Sequence, residues 1–534
     1  MFVSDAPEEP CDRPCHELEW PRICRLKFIL ESYSVPRRRC NNSTNHCLKE
    51  EFEYETQNTL LTVNRRITGP TIHVCVHDIL VVDIINRIPD RSVSIHWRGL
   101  MHKNNPLVDG VPMVTQCPVI SYTTFQYKFR ASDVGTHMWH LQNDETILNA
   151  NIYGMLVIRE PVRKEIHSDL IDYDDSNHAI VLRGMKSIHN SAILINGNHP
   201  KAKINNETAV KFNVYKNRRY RFRIAHSGGN IHCAILGSIE GHKLIIIALD
   251  GNSIEPVYVS EFTIVMGERL DFVLWTNKDE GEYEMKFSFT EQCTTKSVSF
   301  AKITYIKEKL PLRMKNVDYN MQFQMASKLS TLFEKNCGES IFCLENVKSL
   351  SIIPEKVLTK NVDNLFYLFY GYQSVRLKNL EGSFNIAHIN NITFEYPSSP
   401  LASQINDVPD NVICNENNLP DTCFSQQSSI CRCTHVINVE IGSVVELVLV
   451  HQERNPTRDH TFHLHGHKFY VLGRQNNIPE LSINDIKKWD RYWLFKEERS
   501  HGMELVFYVF GSQYEIPDSF PRCGNYVGPK YFLA

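Results

Sequence analysis

Three histidines stand close together near the carboxyl end of the chain, in the run HTFHLHG that begins at His460. In an extended strand, residues two apart point to the same face, so His463 and His465 are expected to project together. Neutral imidazole is the commonest transition-metal ligand in proteins, and two imidazoles on one face suit a site with more than one ion. A chance run of surface histidines is the competing interpretation. Because the surrounding residues are largely apolar, we favour the metal site.

Two further motifs put a histidine beside another polar side chain in a strand-like run. In IHWRG, His96 and Arg98 share one face of the expected strand. In GTHMWHLQ, the same spacing brings His140 and Gln142 to one face. A lone histidine in a strand is more often a satisfied core or surface residue than a ligand, so each motif by itself is weak evidence for metal.

The elements that must position these side chains are predicted to be strands. Short apolar, β-branched runs occur at 79–86 (ILVVDIIN) and 443–450 (SVVELVLV). Residues 262–275 (FTIVMGERLDFVLW) predict two strands joined by a Met-Gly-Glu-Arg turn. Such runs, separated by Gly, Pro, Asn and Asp, are typical of β-sandwiches. No long segment has a sustained helical period, so we expect an all-β protein.

Length and composition bound the domain organisation. A chain of 534 residues predicts about three domains. Composition divides it into a Cys-rich, loop-like N-terminal arm (1–50), a first domain (51–160), a second domain (161–308), an irregular connector (309–350) and a third domain with a C-terminal tail (351–534). The histidine run then lies in the third domain, and the two weaker motifs lie in the first.

The charge pattern limits the classes of partner. The net charge is −3 and no strong basic block occurs, which argues against nucleic acid or an anionic membrane as the main partner. There is no run of about 18 apolar residues, so we expect no membrane span. Residues 1–10 (MFVSDAPEEP) contain no apolar stretch of the signal-peptide kind. We therefore expect an export signal to lie outside this sequence.

Cysteines and glycosylation patterns indicate the compartment. The chain has 16 cysteines, an even number, and five cluster at the N-terminus: Cys11, Cys15, Cys24, Cys40 and Cys47. The acceptor pattern N-x-S/T occurs at Asn41, Asn42, Asn206 and Asn391. Together these features favour a secreted, disulfide-bonded glycoprotein. A zinc site that includes His16 is the competing interpretation of the N-terminal cysteines, although their spacing matches no usual zinc pattern.

Many segments together resemble the multicopper oxidases, and the laccases of arthropods in particular. The histidine motifs resemble the family patterns H-W-H-G, H-x-H and H-P-x-H-L-H-G. Other laccase-like stretches are CDRPCHELEWPRICR (11–25), LTVNRRITGPTIHVCVHDILVVDIIN (61–86), DGVPMVTQCPV (109–119), LINGN (194–198), YRFRI (220–224), GERLDFVLW (267–275), FHLHGHKFYVLG (462–473) and FPRCGNY (520–526). The resemblance covers nearly the whole chain. It implies three cupredoxin-like, Greek-key β-sandwich domains in tandem.

The resemblance also implies a set of copper ligands, of which this chain keeps a part. Laccases hold a type-1 copper that accepts electrons from substrate, and a trinuclear cluster of one type-2 and two type-3 coppers that reduces dioxygen. The matching histidines are His96 and His463 (type 2), His140 and His465 (type 3) and His460 (type 1). Arg98 and Gln142 stand where the family pattern has two further type-3 histidines.

The family's fourth motif, H-C-H-x-x-x-H, has no counterpart. The stretch that resembles its flanks, RYWLFKEERSHGMELVF (491–507), has a charged run in its place, with Met503 at the axial type-1 position. No cysteine lies between His465 and Cys523. The resemblance implies that Cys523 instead forms a family disulfide with Cys117. Blue type-1 copper needs a cysteine thiolate, so the resemblance implies that no efficient electron entry site remains.

Two more residues bear on the chemistry. Asp109 matches a carboxylate that assists proton delivery at the family's cluster, and its competing interpretation is a turn residue before Gly110. With an incomplete cluster we expect the turn role and treat Asp109 as a vestigial proton-relay candidate. Arg98 is always charged and has no lone pair, so beside copper it would add like-charge repulsion instead of a ligand.

These observations favour a catalytically inactive, secreted binding or structural protein with an unknown extracellular partner or small molecule. Residual binding of one copper or zinc ion, at partial occupancy, is compatible with that function, whereas an intact four-copper set is not expected. The alternative is a working copper-dependent phenol or diphenol:oxygen oxidoreductase whose gene model is incomplete. Transcript sequence across residues 474–503 discriminates between them, although Arg98 would still count against activity.

Overall fold

We describe the fold from a computed structural model of the chain. The residues it describes are 11–34, 59–103, 105–142, 152–186, 191–198, 210–229, 231, 233–307, 324–332, 334, 337–338, 340–358, 361–376, 383–415, 417–424, 431–452, 461–472, 506–510 and 520–524. Strands dominate these residues, which confirms the all-β prediction. Within them, no helix is long and apolar enough to cross a membrane.

The chain forms two compact units. The first contains Met1–Asn104 and Val119–Ser351, and the second contains Asn105–Pro118 and Ile352–Ala534. The described helices are α1 (Leu401–Gln404) and 3₁₀ turns at Pro106–Val108, Ser168–Leu170, Ser176–His178, Leu344–Asn346, Glu355–Leu358, Ile405–Asp407, Asp410–Val412 and Asp421–Phe424.

A first sandwich opens the first unit. Its described strands are β1 (Ile23–Ser34), β2 (Thr59–Val63), β3 (Ile72–Cys75), β4 (Ile79–Asn86), β5 (Ile95–Arg98), β6 (Thr124–Arg130), β7 (Gly135–Leu141) and β8 (Tyr153–Arg159). They form two sheets, ordered β2-β1-β4-β6 and β3-β8-β7-β5. The sheets pack through aromatic side chains, with ring centroids of Phe28 and Trp139 4.6 Å apart. β4 confirms the strand predicted at 79–86.

The Cys-rich arm, predicted as loop-like, contributes a central strand to this sandwich, and this corrects that expectation. β1 pairs in parallel with β4 and antiparallel with β2. Its side chains alternate between exposed Ile23 and Arg25 and buried Cys24 and Phe28. This period of two is the signature of a strand with one face on the core, and the cysteines on either side of it mask the pattern.

Two tryptophans fill the interior of the first sandwich. Trp97 and Trp139 have no exposed surface, and their ring centroids lie 6.5 Å apart. Gly154 of β8 passes so close that a Cβ atom there would lie 2.6 Å from the Trp139 ring. Glycine at position 154 is therefore what leaves room for the indole.

A second sandwich completes the first unit. Its described strands are β9 (Ala179–Lys186), β10 (Ser191–Ile195), β11 (Lys211–Tyr215), β12 (Arg219–Gly229), β13 (Ile235–Ile239), β14 (Leu244–Leu249), β15 (Asn252–Val259), β16 (Glu261–Ile264), β17 (Arg269–Trp275), β18 (Glu282–Phe289), β19 (Val298–Ile306), β20 (Gln324–Met325), β21 (Lys328–Ser330) and β22 (Ile341–Cys343). The sheet orders are β10-β9-β12-β17-β14-β15-β20 and β11-β19-β18-β13-β16-β21-β22.

Two sequence predictions meet different outcomes in this sandwich. β16 and β17 confirm the two strands predicted across 262–275. The connector predicted as irregular over 309–350 contains β20, β21 and β22, which extend the two sheets at their edges. The prediction was wrong for those residues, because edge strands of two or three residues are too short to show a period in the sequence.

A network of buried charges joins the first and second sandwiches within this unit. Thr136 of β7 donates from Oγ1 to Asp271 of β17 over 2.6 Å, and Arg223 of β12 donates to both of them. Arg223 also makes a bidentate pair with Asp174. Burial alone would raise the pKa of Asp174, but the charges of Arg223 and Arg221 outweigh it and hold that pKa well below its ordinary range. The network fixes β7 against the second sandwich.

The second unit contains one described sheet. Its strands are β23 (Asn364–Arg376), β24 (Ser383–Ile389), β25 (Ile392–Phe394), β26 (Ile413–Cys414), β27 (Cys431–Glu440), β28 (Val445–His451) and β29 (Val506–Phe510). The order is β26-β27-β25-β24-β23-β28, with β29 paired to β27. β28 confirms the strand predicted at 443–450, but it begins two residues later and ends one residue later. Leu368, Tyr370, Ile389 and Leu449 belong to its buried apolar cluster.

Disulfides staple both units. The described pairs are Cys11–Cys24, Cys15–Cys75, Cys117–Cys523, Cys233–Cys293, Cys337–Cys343, Cys414–Cys433 and Cys423–Cys431. The pair Cys117–Cys523 is the one that the resemblance implies. Because Cys11, Cys15 and Cys24 are all disulfide-bonded, they leave no thiolate for the zinc site with His16, and that interpretation is wrong for these cysteines.

Candidate metal centre

The face of the β5–β7 pair gathers the candidate residues of the first sandwich. The two strands run antiparallel, with His96 opposite His140 and Arg98 opposite Met138. Their ring centroids place His96 and His140 5.4 Å apart, edge to face. Trp97 alternates to the other side and lies in the core. Strand alternation therefore brings the histidines of two sequence motifs onto one face.

The two histidines differ in exposure and in what fixes their rings. His96 is 2% exposed, whereas His140 is partly exposed. Nδ1 of His140 lies 2.9 Å from the backbone oxygen of Leu141. A carbonyl oxygen only accepts hydrogen bonds, so Nδ1 carries a proton, and in the neutral ring Nε2 is then the nitrogen with the lone pair. This orientation leaves Nε2 of His140 as the atom able to bind a metal ion.

Arg98 is held against the second sandwich. Its Nε donates to the backbone oxygen of Gly267 over 3.3 Å. Gly267 has φ +83°, and a Cβ atom there would lie 2.5 Å from the Arg98 guanidinium. The guanidinium therefore rests on the turn between β16 and β17, which only glycine leaves open at that point. The sequence places Arg98 beside His96, and the structure adds its partner 169 residues away.

Gln142 follows β7 and is 8% exposed. Its backbone N–H donates to Ser94 over 2.8 Å, which continues the β5–β7 ladder by one rung. Gln142 therefore keeps the strand parity of His140. An uncharged amide is a much poorer ligand for copper than imidazole, because its oxygen is a hard donor.

His463 and His465 of the second unit lie side by side, but not in a strand. Their ring centroids are 4.6 Å apart, and both side chains are half-buried. Residues 461–464 are irregular and a turn follows at 465–466, where Gly466 has φ +69°. The strand expectation is wrong here, because this left-handed glycine ends the extended run. The pairing of the two imidazoles is nonetheless as expected. His460 lies outside the described residues.

Asp109 is buried and serves its own turn. Its Oδ1 accepts hydrogen bonds from the Val111 N–H over 3.0 Å and from the Thr115 hydroxyl over 2.5 Å. These bonds favour the carboxylate, but burial is the larger effect and raises its pKa from 3.8 to about 6. Acceptance from the residue two positions on is the Asx-turn geometry, the turn role expected from the sequence.

Of the remaining predicted site residues, some lie within the described part of the chain and others do not. Asn391 is exposed in the turn between β24 and β25, with φ +60°. The other glycosylation candidates Asn41, Asn42 and Asn206 lie outside the described residues, as do Cys40, Cys47, Met503 and the charged run that replaces the fourth motif. Cys523 is anchored by Gln404, which accepts its N–H over 2.9 Å and donates to its carbonyl over 2.9 Å.

The sequence patterns did not identify the polar residues that connect β7 to the second sandwich. Thr136 and the buried pair Arg223–Asp271 fix the strand that carries His140. Their signal was the alternation of arginines in YRFRI (220–224), since arginines in a buried strand require carboxylate partners.

Protein-family models described as multicopper oxidase match residues 47–163, 165–308 and 397–495, together more than half of the chain. Laccase-6 of Arabidopsis thaliana is 23% identical over 510 residues, 85% of this chain and 84% of its own. L-ascorbate oxidase of Brassica rapa subsp. pekinensis is 25% identical over 78% of this chain and 76% of its own.

Solved structures show the same fold. Fet3p, a multicopper oxidase that functions in iron import, superposes with a TM-score of 0.58 at 18% identity, over 89% of this chain and 83% of its own. The laccase of Botrytis aclada gives 0.58 at 17% identity, over 93% and 85%. These matches confirm the cupredoxin-like architecture and the laccase-like resemblance. By its family matches and its fold, the chain belongs to the multicopper oxidase family.

Proposed function

We propose that this chain is a non-catalytic member of the multicopper oxidases that acts as a secreted binding or structural protein. The observation that carries the proposal is the guanidinium of Arg98, which shares a strand face with His96 and His140 and is bonded to Gly267. A guanidinium offers no lone pair, and its fixed positive charge opposes a cation a few ångströms away. The first sandwich thus provides two imidazoles and a cation on that face.

The cysteines support the same proposal. Type-1 copper takes a thiolate and two histidines. The sequence contains no cysteine between Cys433 and Cys523, and Cys523 is bonded to Cys117. Each cysteine within the described residues is disulfide-bonded. The residues present therefore do not fit a type-1 copper, and no electron transfer step is assigned to this chain.

The test is a search for laccase chemistry in purified protein. The protein is purified in its folded state, without a refolding step, and incubated with copper. We expect it to be colourless, to lack type-1 absorption and not to oxidise diphenols. The laccase of Botrytis aclada assayed alongside serves as the positive control. Copper-dependent diphenol oxidation that disappears in His463→Ala would overturn the proposal.

Residual metal binding is a second candidate, favoured by one specific observation. In the first sandwich, His140 lies on the same face as His96, and its Nδ1 is 2.9 Å from the backbone oxygen of Leu141, which makes Nε2 the ligand atom of the neutral ring. The second unit has its own adjacent pair, His463 and His465. Elemental analysis after loading with copper or zinc tests this candidate. Retained metal that drops in His96→Ala supports it, and a metal content near zero contradicts it.

A working phenol or diphenol oxidase remains the alternative that transcript sequence decides. An H-C-H motif recovered across residues 474–503 would restore a type-1 ligand set. Arg98 and Gln142 would still share the strand face of His96 and His140 in the first sandwich. We therefore expect the transcript to encode the sequence as it stands.

A further inference from the structure

A short loop of the N-terminal arm exposes large apolar side chains. In residues 16–23, Leu18 is 97% exposed, Trp20 is 89% exposed and Ile23 is 57% exposed. Soluble proteins bury most of their tryptophan surface, so an almost fully exposed indole between an exposed leucine and an exposed isoleucine is unusual. We call this segment the arm loop.

The arm loop is held in place from both sides. The disulfide Cys11–Cys24 closes it, and Cys15–Cys75 ties it to β3. Arg13 binds Asp78 through two hydrogen bonds of 2.7 and 3.0 Å and also reaches Glu19. A loop fixed in this way loses little conformational entropy when its tip becomes buried, so its apolar groups are preorganised for binding.

Exposed cations line the sheet face beside the arm loop. Ile23 of β1 is level with Ile79 of β4 and Arg130 of β6, and the next rung on that face carries Arg25 and Lys128. Arg25, Lys128 and Arg130 are exposed, and among the described residues none of them has a carboxylate partner. Strands lie about 4.8 Å apart and rise about 3.3 Å per residue, so the backbone positions of these cations lie within roughly 12 Å of that of Ile23.

The acidic groups nearby are fewer and mostly engaged. Glu19 is paired with Arg13, whereas Asp83 accepts a hydrogen bond from the neutral amide of Gln126 and keeps its charge. Glu17 is exposed in the arm loop. The cations therefore outnumber the free carboxylates on this face. The net charge of the whole chain does not reveal this, because strand register, and not sequence order, brings Arg25 beside Lys128.

We propose that the arm loop and this basic sheet face form one docking surface for the interface of an anionic lipid bilayer. Peripheral membrane binding scales with buried apolar area plus attraction between basic side chains and anionic headgroups, and both occur here side by side. Trp20 and Leu18 enter the headgroup region, while Arg25, Lys128 and Arg130 face the lipid phosphates. An acidic polysaccharide would use the cations but has no place for Leu18.

The test is cosedimentation of the full chain with vesicles. Vesicles of equal parts phosphatidylserine and phosphatidylcholine are compared with phosphatidylcholine alone. We expect preference for the mixed vesicles, lost with added salt. Leu18→Ser with Trp20→Ser lowers the partition coefficient about tenfold, and Arg25→Gln with Lys128→Gln does so by a similar factor. Brominated lipid should quench the tryptophan fluorescence of the wild type. It should quench that of Trp20→Phe markedly less, because Trp20 is the tryptophan that enters the headgroup region.

Matched controls come from other exposed residues of the same unit. Val162 and Ile166 are each 59% exposed, and Lys286 is exposed on the second sandwich. Val162→Ser with Ile166→Ser, and Lys286→Gln, should bind vesicles as the wild type does. The proposal is overturned if the arm-loop variant binds unchanged, if Trp20 is not quenched, or if the protein binds heparin and no vesicles.

Discussion

The chemistry of the candidate centre turns on one side chain, Arg98. Its guanidinium lies on the same strand face as His96 and His140, but its Nε donates a hydrogen bond to the backbone oxygen of Gly267 in the second sandwich. Through this hydrogen bond the side chain links the two sandwiches of the first unit.

The contact between Arg98 and Gly267 can be measured with a matched glycine. Gly267→Ala introduces a Cβ atom 2.5 Å from the guanidinium at φ +83°, whereas Gly442 has φ +86° and nothing within 4 Å of its Cβ position. We expect Gly442→Ala to cost about 1 kcal/mol of unfolding free energy and Gly267→Ala about 2 kcal/mol, because the guanidinium shifts away at the cost of its hydrogen bond to Gly267. In an Arg98→Ala background, the Gly267→Ala penalty should fall to that of Gly442→Ala in denaturant titrations. An equal penalty in both backgrounds would contradict the contact.

Asp109 makes the stability of the second unit depend on pH. Its folded pKa of about 6 lies above the ordinary 3.8, so the folded state holds the proton more tightly than the unfolded state does. Stability from this group is therefore full below the lower value and falls as the pH rises through the higher one. Asp109→Asn keeps the acceptor oxygen for Val111 and Thr115 and removes the charge. At neutral pH it should raise the unfolding free energy by up to about 3 kcal/mol.

The measurement for Asp109 is denaturant unfolding of wild type and variant across the acid range. The difference in unfolding free energy between wild type and variant should vanish as the pH falls below 3.8, where Asp109 is protonated in the folded and in the unfolded state. Thr115→Val is the control, because it removes a hydrogen bond to Asp109 and leaves the titrating group in place. A difference between Asp109→Asn and wild type that is the same at every pH would refute the titration.

At the residue scale, the sequence predicted which side chains share a face and failed to predict what they contact. His96 with Arg98, and His140 with Gln142, follow from the two-residue period of a strand, which is local information. The partner of Arg98 is 169 residues away, and no local pattern encodes that distance. The bend at Gly466 was missed because HTFHLH alternates like a strand up to the glycine.

Among the elements, β7, β12 and β17 are joined by one network of buried charges. Arg221 and Arg223 both bind Asp271, which has 1% side-chain exposure, and Asp271 accepts from Thr136 of β7. Removing the shared carboxylate would leave two buried guanidinium groups short of a counter-charge. This change costs more unfolding free energy than the loss of an exposed ion pair, because a buried charge that loses its partner cannot be solvated by water.

Replacement of Asp271 tests this role. Asp271→Ala should lower the free energy of unfolding by about 3 to 5 kcal/mol. Asp279, whose side chain is 97% exposed, pairs with Lys216 and provides the control. Asp279→Ala should leave the denaturation midpoint unchanged within error, since exposed pairs are screened by water. Equal effects of the two substitutions would show that the buried network does not stabilise the unit.

At the element scale, long strands with apolar runs were predictable and interrupted ones were not. β4, β17 and β28 show apolar residues over most of their length, so their existence follows from composition alone. β1 lies among cysteines, and β20 to β22 have two or three residues each. Their strand conformation comes from pairing with distant neighbours, which a single sequence does not display.

For the molecule as a whole, the stabilisation given by a disulfide depends on the length of chain that it closes. The second unit is assembled from Asn105–Pro118 and from residues after 351. The disulfide Cys117–Cys523 joins these two stretches over a separation of 406 residues. A cross-link over so long a segment removes much of the entropy of the unfolded chain, and the effect grows with the logarithm of the loop length.

The comparison of a long and a short loop tests that argument. Cys337–Cys343 has a separation of 6, against 406 for Cys117–Cys523. Alanine at both long-loop positions should reduce the free energy of unfolding by on the order of 5 kcal/mol, and alanine at both short-loop positions by about 2 kcal/mol. Guanidinium titration followed by tryptophan fluorescence measures both. Cys343 is fully buried, whereas Cys523 is only half-buried. If local packing outweighed loop entropy, the short-loop substitution would therefore cost more than the long-loop one, and that result would contradict the argument.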